Sequence, residues 1–177
     1  ESLDAPKVIN VVYEPAIVKY HVHHYKQNVY DDNYSTDPVI VEMEGYTGDV
    51  IADCHMEIDG FHSLYYERMV IAADGSTQVD IYYDRNYYLV SFDLGGGFGV
   101  DPIYTRYGSE ISVNTPSRAG YVFNSWSLIS VAGHTPTADD IGKYLFTDVN
   151  NVVTVESALS YLATWNRGKT SYTMVFW

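Results

Sequence analysis

The sequence predicts an α+β, strand-dominated chain built as two tandem small modules with short helices. Three observations carry this expectation. Aromatic and β-branched residues fill most apolar positions, with 18 tyrosines, 6 phenylalanines and 3 tryptophans among 177 residues, a composition that suits pleated, half-buried surfaces. A tyrosine-rich strand pattern, a short polar break and a second aromatic strand pattern follow one another three times: VINVVYEP with AIVKYHVHHY, VDIYYDRN with YYLVSFDL, and LATWNRGK with TSYTMVFW. The breaks fall near Pro15, Asn86 and Gly168, so they enclose two units of roughly 70 to 80 residues and leave a fragment of a neighbour at each end.

The expected organisation is therefore residues 1–16 as the end of a preceding module or a linker, 17–86 and 87–167 as complete units, and 168–177 as the first strand of a following module. The chain reads as a section cut from an array. Each unit would bury only about 60 to 65 % of its unfolded surface, which leaves little room for a deep catalytic pocket.

In the first unit, Ile17 to Lys26 alternates as a half-buried strand, with Val18, Tyr20, Val22 and His24 on one face and Lys19, His21, His23 and Tyr25 on the other. Turn formers over Asn28 to Asn33 and a second apolar run from Tyr34 to Glu44 complete a hairpin, in which Pro38 marks an edge or a bulge. After Gly45 a short helix is expected, capped by Asp49 and carrying Val50, Ile51, Cys54 and Ile58 at helical spacing. Gly60 and Phe61 restart extended structure, and Ala73 to Ser76 turn tightly into a strand from Thr77 to Tyr83.

The combination YHVHHYKQN, GYTGDVIA, DGF and IAADGSTQVDIYYDRN, spanning residues 17–86, resembles mucin-binding-protein (MucBP)-like repeats of Gram-positive surface adhesins. That resemblance implies a β-grasp (ubiquitin-like) fold strung along a cell-wall protein.

The second unit opens with a strand from Tyr88 to Leu94 that runs into Gly95, Gly96 and Gly97. A phosphate loop needs Gly-x4-Gly-Lys-Ser/Thr ahead of a helix; DLGGGFGVDP has no lysine and precedes a strand, so these glycines turn a hairpin. A strand is expected from Val100 to Tyr107, then a Gly108-Ser109 step. The residues Phe92, Gly95, Gly96, Tyr107, Gly108, Ser109, Pro116, Arg118, Gly120, Tyr121, Phe123 and Trp126 resemble the pattern of the internalin-type B repeat, also called the Listeria-Bacteroides repeat. The resemblance covers 87–167, closes on the strand LSYLATW, and implies a second β-grasp module. This unit departs from the family in a longer connection at 127–153, where Thr137 would cap a short helix presenting Ile141, Tyr144 and Leu145 on one face. The connection is either a place where a binding specificity is added or a packing variant.

Composition narrows the function. A net charge of −13, from 23 acidic against 10 basic residues, argues against nucleic acid and anionic lipid as partners. No stretch of about 20 apolar residues suits membrane insertion, and no signal peptide or wall-sorting tail is visible. Cys54 is the only cysteine, so no intramolecular disulfide forms.

Catalytic and cofactor motifs are not expected. His21 and His23 share a strand face about 7 Å apart, a spacing that chelates a metal only when further ligands exist, and exposed strand histidines are the preferred reading. The acidic pairs Asp31-Asp32 and Asp139-Asp140 lack the alternating ligands of a calcium loop. Cys54 beside His55 does not make a nucleophile, since sequence neighbours on a helix point apart.

The remaining chemistry lies in aromatic pairs. Tyr65 with Tyr66, Tyr82 with Tyr83, and Tyr87 with Tyr88 must each place one ring outside or at a module junction, where it stacks on a sugar or fills a partner's pocket. The expectation is a non-catalytic repeat segment of a bacterial surface adhesin, extracellular and wall-attached through other parts of its parent, acting as a stalk or spacer. Its partners would be neighbouring modules and host glycans or glycoproteins, with no cofactor. The alternative is a module that binds a glycan or protein directly through exposed tyrosines or an open sheet edge.

Overall fold

The computed structural model describes residues 9–12, 14–147, 151–169 and 173–177. The expected terminal segments 1–16 and 168–177 and the connection 127–153 lie partly outside these residues. Among the described ones, 9–12, 14–16 and 173–177 belong to no strand.

Ten strands and one helix follow one another along the described chain: β1 Ile17–Lys26, β2 Val39–Tyr46, β3 Phe61–Ser63, β4 Gln78–Arg85, β5 Tyr87–Asp93, β6 Ile103–Arg106, β7 Ser109–Ser112, β8 Tyr121–Val131, α1 Ala138–Tyr144, β9 Val152–Val155 and β10 Leu159–Arg167. The first four strands form a sheet in the order β2-β1-β4-β3, with β1 and β4 parallel at the centre and antiparallel partners on either side. The second four-stranded sheet runs β6-β5-β10-β8 and repeats that plan, since β5 and β10 are parallel at its centre. β7 and β9 add a two-stranded antiparallel ladder. The fold is therefore α+β and strand-dominated, with mixed sheets and one small helix.

Alternation writes the cores. On β1, Tyr20, Val22 and His24 are buried and Lys19 and His21 are exposed, as a period of two requires. Val22, Val79, Ile81 and Tyr83 centre one apolar cluster, which Ile51 and Ile71 close from the long crossover between β2 and β4. Tyr161 centres the other, stacked on Phe92 at 5.5 Å between ring centroids and flanked by Trp126 and Phe146. Pro38 directly precedes β2, an edge strand, where its missing N–H costs no ladder bond.

The helix expected from Asp49 does not form. Asp49 and Ile51 exchange backbone hydrogen bonds with Met69 and Ile71, so the segment starts in extended pairing. Farther on, the amides that would enter a helix donate to side chains: Cys54 N–H to the Tyr66 hydroxyl at 2.9 Å, and Met56 N–H to the Tyr83 hydroxyl at 2.8 Å. Side-chain acceptors that compete for backbone donors in this way defeat a helix with weak propensity. The apolar residues still serve the core, because Ile51 is buried and Cys54 and Ile58 pack against the cluster.

The second helix forms as expected. Thr137 accepts from Asp140 N–H while the Asp140 carboxylate accepts from Thr137 N–H, a reciprocal capping box. Its inward face is carried by buried Tyr144 and half-buried Leu145, whereas Ile141 is exposed. Lys143 pairs with Glu156 and so ties the helix to the turn before β10. The expected strand from Val100 to Tyr107 shortens to β6, because Gly99 adopts φ 100° and Asp101 and Pro102 lie outside the ladder.

His24 is 2 % exposed, and its Nδ1 lies 2.8 Å from the Tyr83 hydroxyl. Burial first, then the neighbouring His23, hold the imidazole below its ordinary value of 6.5, so it is neutral when folded. Above about pH 6.5 both states are neutral at this site; on acidification the unfolded chain takes up the proton first, and stability is lost. His55, held above its ordinary value first by Asp53 and then by Glu57, works in the opposite sense and gains on acidification. His24→Gln removes the first of these opposing contributions, so between about pH 7.5 and 5.5 its urea midpoint is expected to shift upward relative to that of wild type.

Candidate functional site

The two four-stranded sheets are joined by a single residue. β4 ends at Arg85 and β5 begins at Tyr87, and Asn86 between them donates its N–H to Gly60 O and accepts from Tyr107 N–H, both at 2.8 Å. Arg85, half-buried, donates from Nε to Gln27 O at 2.8 Å and from Nη1 to Tyr107 O at 2.9 Å, while its guanidinium lies 4.7 Å from the centre of the Phe61 ring. Burial pulls Arg85 below its ordinary pKa without discharging it.

Arg106 makes the reciprocal crossing. It donates to Asp31 O at 2.6 Å, pairs with Asp32, and donates from Nε to the Tyr87 hydroxyl. Tyr107 packs between Phe61, at 5.8 Å, and Tyr88, at 6.4 Å. Gly60 and Gly108 permit this closeness. A Cβ on Gly60 would lie 2.2 Å from the Tyr107 ring, one on Gly108 would lie 2.9 Å from Arg85, and both residues have positive φ.

A band of exposed and half-buried tyrosines crosses this junction. On the outer face of the first sheet Tyr82 stacks on Tyr25 at 4.9 Å and meets Tyr34 edge-on at 4.8 Å. On the second, Tyr87 stacks on Tyr104 at 5.2 Å, with Arg106 over the Tyr87 ring. Between the two lies an open groove of about 530 Å³, lined by Gln27, Asp32, Tyr34, His62, Asp84, Arg85, Tyr87 and Arg106. Tyr34 donates to Asp84 at 2.6 Å, and partial burial followed by this carboxylate pushes its hydroxyl up to about 12. Flat rings flanking carboxylates and a guanidinium can hold a ligand with apolar faces and polar edges.

The sequence-derived tyrosines divide as their pairing requires. Tyr82 and Tyr87 belong to the band, and Tyr88 is half-buried at the junction. Tyr83 is 1 % exposed and faces the core, so it meets no external ligand; its hydroxyl instead anchors Met56 and His24. Tyr65 is exposed but lies away from the band, lining a separate recess with Asp53, His55 and Arg68. Tyr66 is half-buried and donates to Asp53 at 2.6 Å. Tyr25, Tyr34, Tyr104, Arg85 and Arg106 escaped the sequence reading because no doublet marks them. Cross-strand register brings in Tyr25 and Tyr104, and a loop brings in Tyr34.

The B-repeat-like residues serve turns and packing. Gly95, Gly96 and Gly120 have φ of 56°, 86° and 78°, and Pro116 is buried. The Arg118 guanidinium lies 4.0 Å from the centre of the Tyr121 ring, and Phe123 packs on Trp126 at 5.3 Å.

The residues weighed from sequence for catalysis and metal binding are engaged as follows. Both His55 nitrogens face carboxylates, Nδ1 to Asp53 and Nε2 to Glu57, while the Cys54 thiol neighbours Tyr66 and is held up by burial. Asp31 accepts from Asn28 and Asn33, Asp32 pairs with Arg106, and Asp140 serves the capping box. His21 approaches Glu42 and His23 approaches Asp80, each a single carboxylate; among the described residues no group of three His, Cys, Asp or Glu is arranged to hold a metal ion. Compared with known proteins, the chain matches no family model, no curated protein and no solved structure.

Two substitutions separate the parts of the junction. Arg85→Ala strands two carbonyl acceptors and is expected to cost about 2–3 kcal/mol. Arg106→Ala loses a pair with a largely exposed carboxylate together with bonds to Asp31 O and the Tyr87 hydroxyl at the surface, and should cost less, about 1–2 kcal/mol. Denaturant titration of both variants checks the order.

Proposed function

We propose that this chain is a non-catalytic segment of a bacterial surface adhesin, in which tandem β-grasp modules over 17–86 and 87–167 act as a semi-rigid spacer outside the cell. The observation that carries the reading is the one-residue junction clamped by Arg85 and Arg106, which leaves no free linker between the sheets. A flexible tether would need several unpaired residues here.

The strand plan supports the modular part. Each sheet places its first and last strands parallel at the centre, with the second strand and a later one outside, an order expected of β-grasp modules. The aromatic strand that ends one unit and starts the next gives a rule for adding further units in series. The resemblance of the two segments to MucBP-like and internalin B repeats supports the cell-surface setting.

A second reading is favoured by the tyrosine band, in which Tyr82, Tyr87 and Tyr104 are exposed although burial would stabilise them. In that reading the junction groove binds a host glycan or glycoprotein directly. Tyr34→Ala with Tyr87→Ala, which removes the two rings lining the groove, should abolish such binding on a glycan array and leave the circular dichroism spectrum intact.

The spacer reading predicts an extended particle in small-angle scattering. The radius of gyration should clearly exceed the roughly 16 Å of a compact globule of this length. A value at the compact limit would count against it.

A further inference from the structure

We propose that the junction groove takes an uncharged sugar residue, held by the buried Gln27 carboxamide, and discriminates against acidic sugars. The inference rests on the reading in which this groove binds a glycan, and it names the ligand class. Gln27 lines the groove and is only 7 % exposed. Its Oε1 accepts from Arg85 N–H at 3.1 Å, while its Nε2 has no hydrogen-bond partner among the described residues. No buried side-chain nitrogen or oxygen among them lacks a partner, so solvent reaches this amide, and the groove is the opening that Gln27 lines. A carboxamide enclosed in this way, with its oxygen fixed and its N–H donors left over, suits a ligand oxygen.

The groups around it supply acceptors. Asp84 gives one oxygen to the Tyr34 hydroxyl and Asp32 gives one to Arg106, which leaves the second oxygen of each carboxylate. His62 Nδ1 lies 2.8 Å from Asn86 Oδ1, so in the uncharged ring Nδ1 donates and Nε2 accepts. One fixed donor among several acceptors matches a polyol, whose hydroxyls both donate and accept. Tyr34 and Tyr87 add apolar surface for the C–H face of a sugar ring.

The charges lining the groove cancel, with Asp32 and Asp84 against Arg85 and Arg106. Both guanidinia are already engaged. Arg106 uses all three nitrogens, on Asp31 O, Asp32 and the Tyr87 hydroxyl, and Arg85 is turned to the carbonyls of Gln27 and Tyr107. A sugar carboxylate would therefore find no wholly unengaged guanidinium to clamp it and would meet the open oxygens of Asp32 and Asp84. An amino sugar would share the groove with two cations.

Titration of the full chain with methyl glycosides, followed by proton–nitrogen correlation NMR, tests this. The probes are methyl glucoside and methyl galactoside, each with its uronic-acid and amino-sugar counterparts. At least one neutral probe is expected to move the Gln27 side-chain amide signals, with its charged counterparts binding about 10-fold more weakly. Gln27→Glu keeps the acceptor for Arg85 N–H and loses the donor, so it should weaken neutral binding roughly 10-fold. Should that variant unfold, Asp84→Asn decides: the gap between the neutral sugar and its uronic acid is expected to narrow, and an unchanged gap overturns the proposal. A charged counterpart that binds as tightly as the neutral sugar, or a Gln27→Glu chain that binds like wild type, overturns this inference and leaves the glycan reading standing. No shift with any probe overturns both.

Discussion

The rest of the structure depends on the Arg85 guanidinium, a charge drawn partly out of water and held by carbonyls on both sides of the junction. Its tether to Gln27 O fixes it to the first sheet, and its bond to Tyr107 O fixes the second. A half-buried cation without those acceptors would be costly, so the two sheets keep the orientation that supplies them. Phe61 beneath the guanidinium and Tyr107 against Gly60 then fill the space that the arginine frames.

This constraint also creates the groove. Because only Asn86 separates β4 from β5, the outer faces of the two sheets meet along one line, and the tyrosines of β4 and β5 are brought alongside each other. Tyr34 and Tyr87 line the groove together with Asp84, Asp32 and Arg106. The tyrosine-flanked groove and the hydrogen-bonded junction are thus two consequences of one short connection.

Much of the fold was legible in the sequence, because it rests on local signals. The alternation of β1, the turn before β4, the glycine hairpin after β5 and the Thr137 cap are all written within a few residues of where they act. The failures come from long-range chemistry. The spacing of Val50, Ile51, Cys54 and Ile58 suits a helix, but hydroxyls from Tyr66 and Tyr83, 12 and 27 residues away from the amides they accept, take those amides. Doublets identified Tyr82 and Tyr87, whereas their stacking partners Tyr25 and Tyr104 depend on strand register, which no local pattern states.

The central claim is that the two sheets form one rigid pair, and an electron–electron distance measurement tests it most directly. Spin labels at exposed Ser76→Cys and Asp101→Cys, in a Cys54→Ser background, lie on opposite sides of the junction. The account predicts a single narrow distance distribution that broadens in Arg85→Ala. A broad distribution in the unsubstituted junction would contradict it.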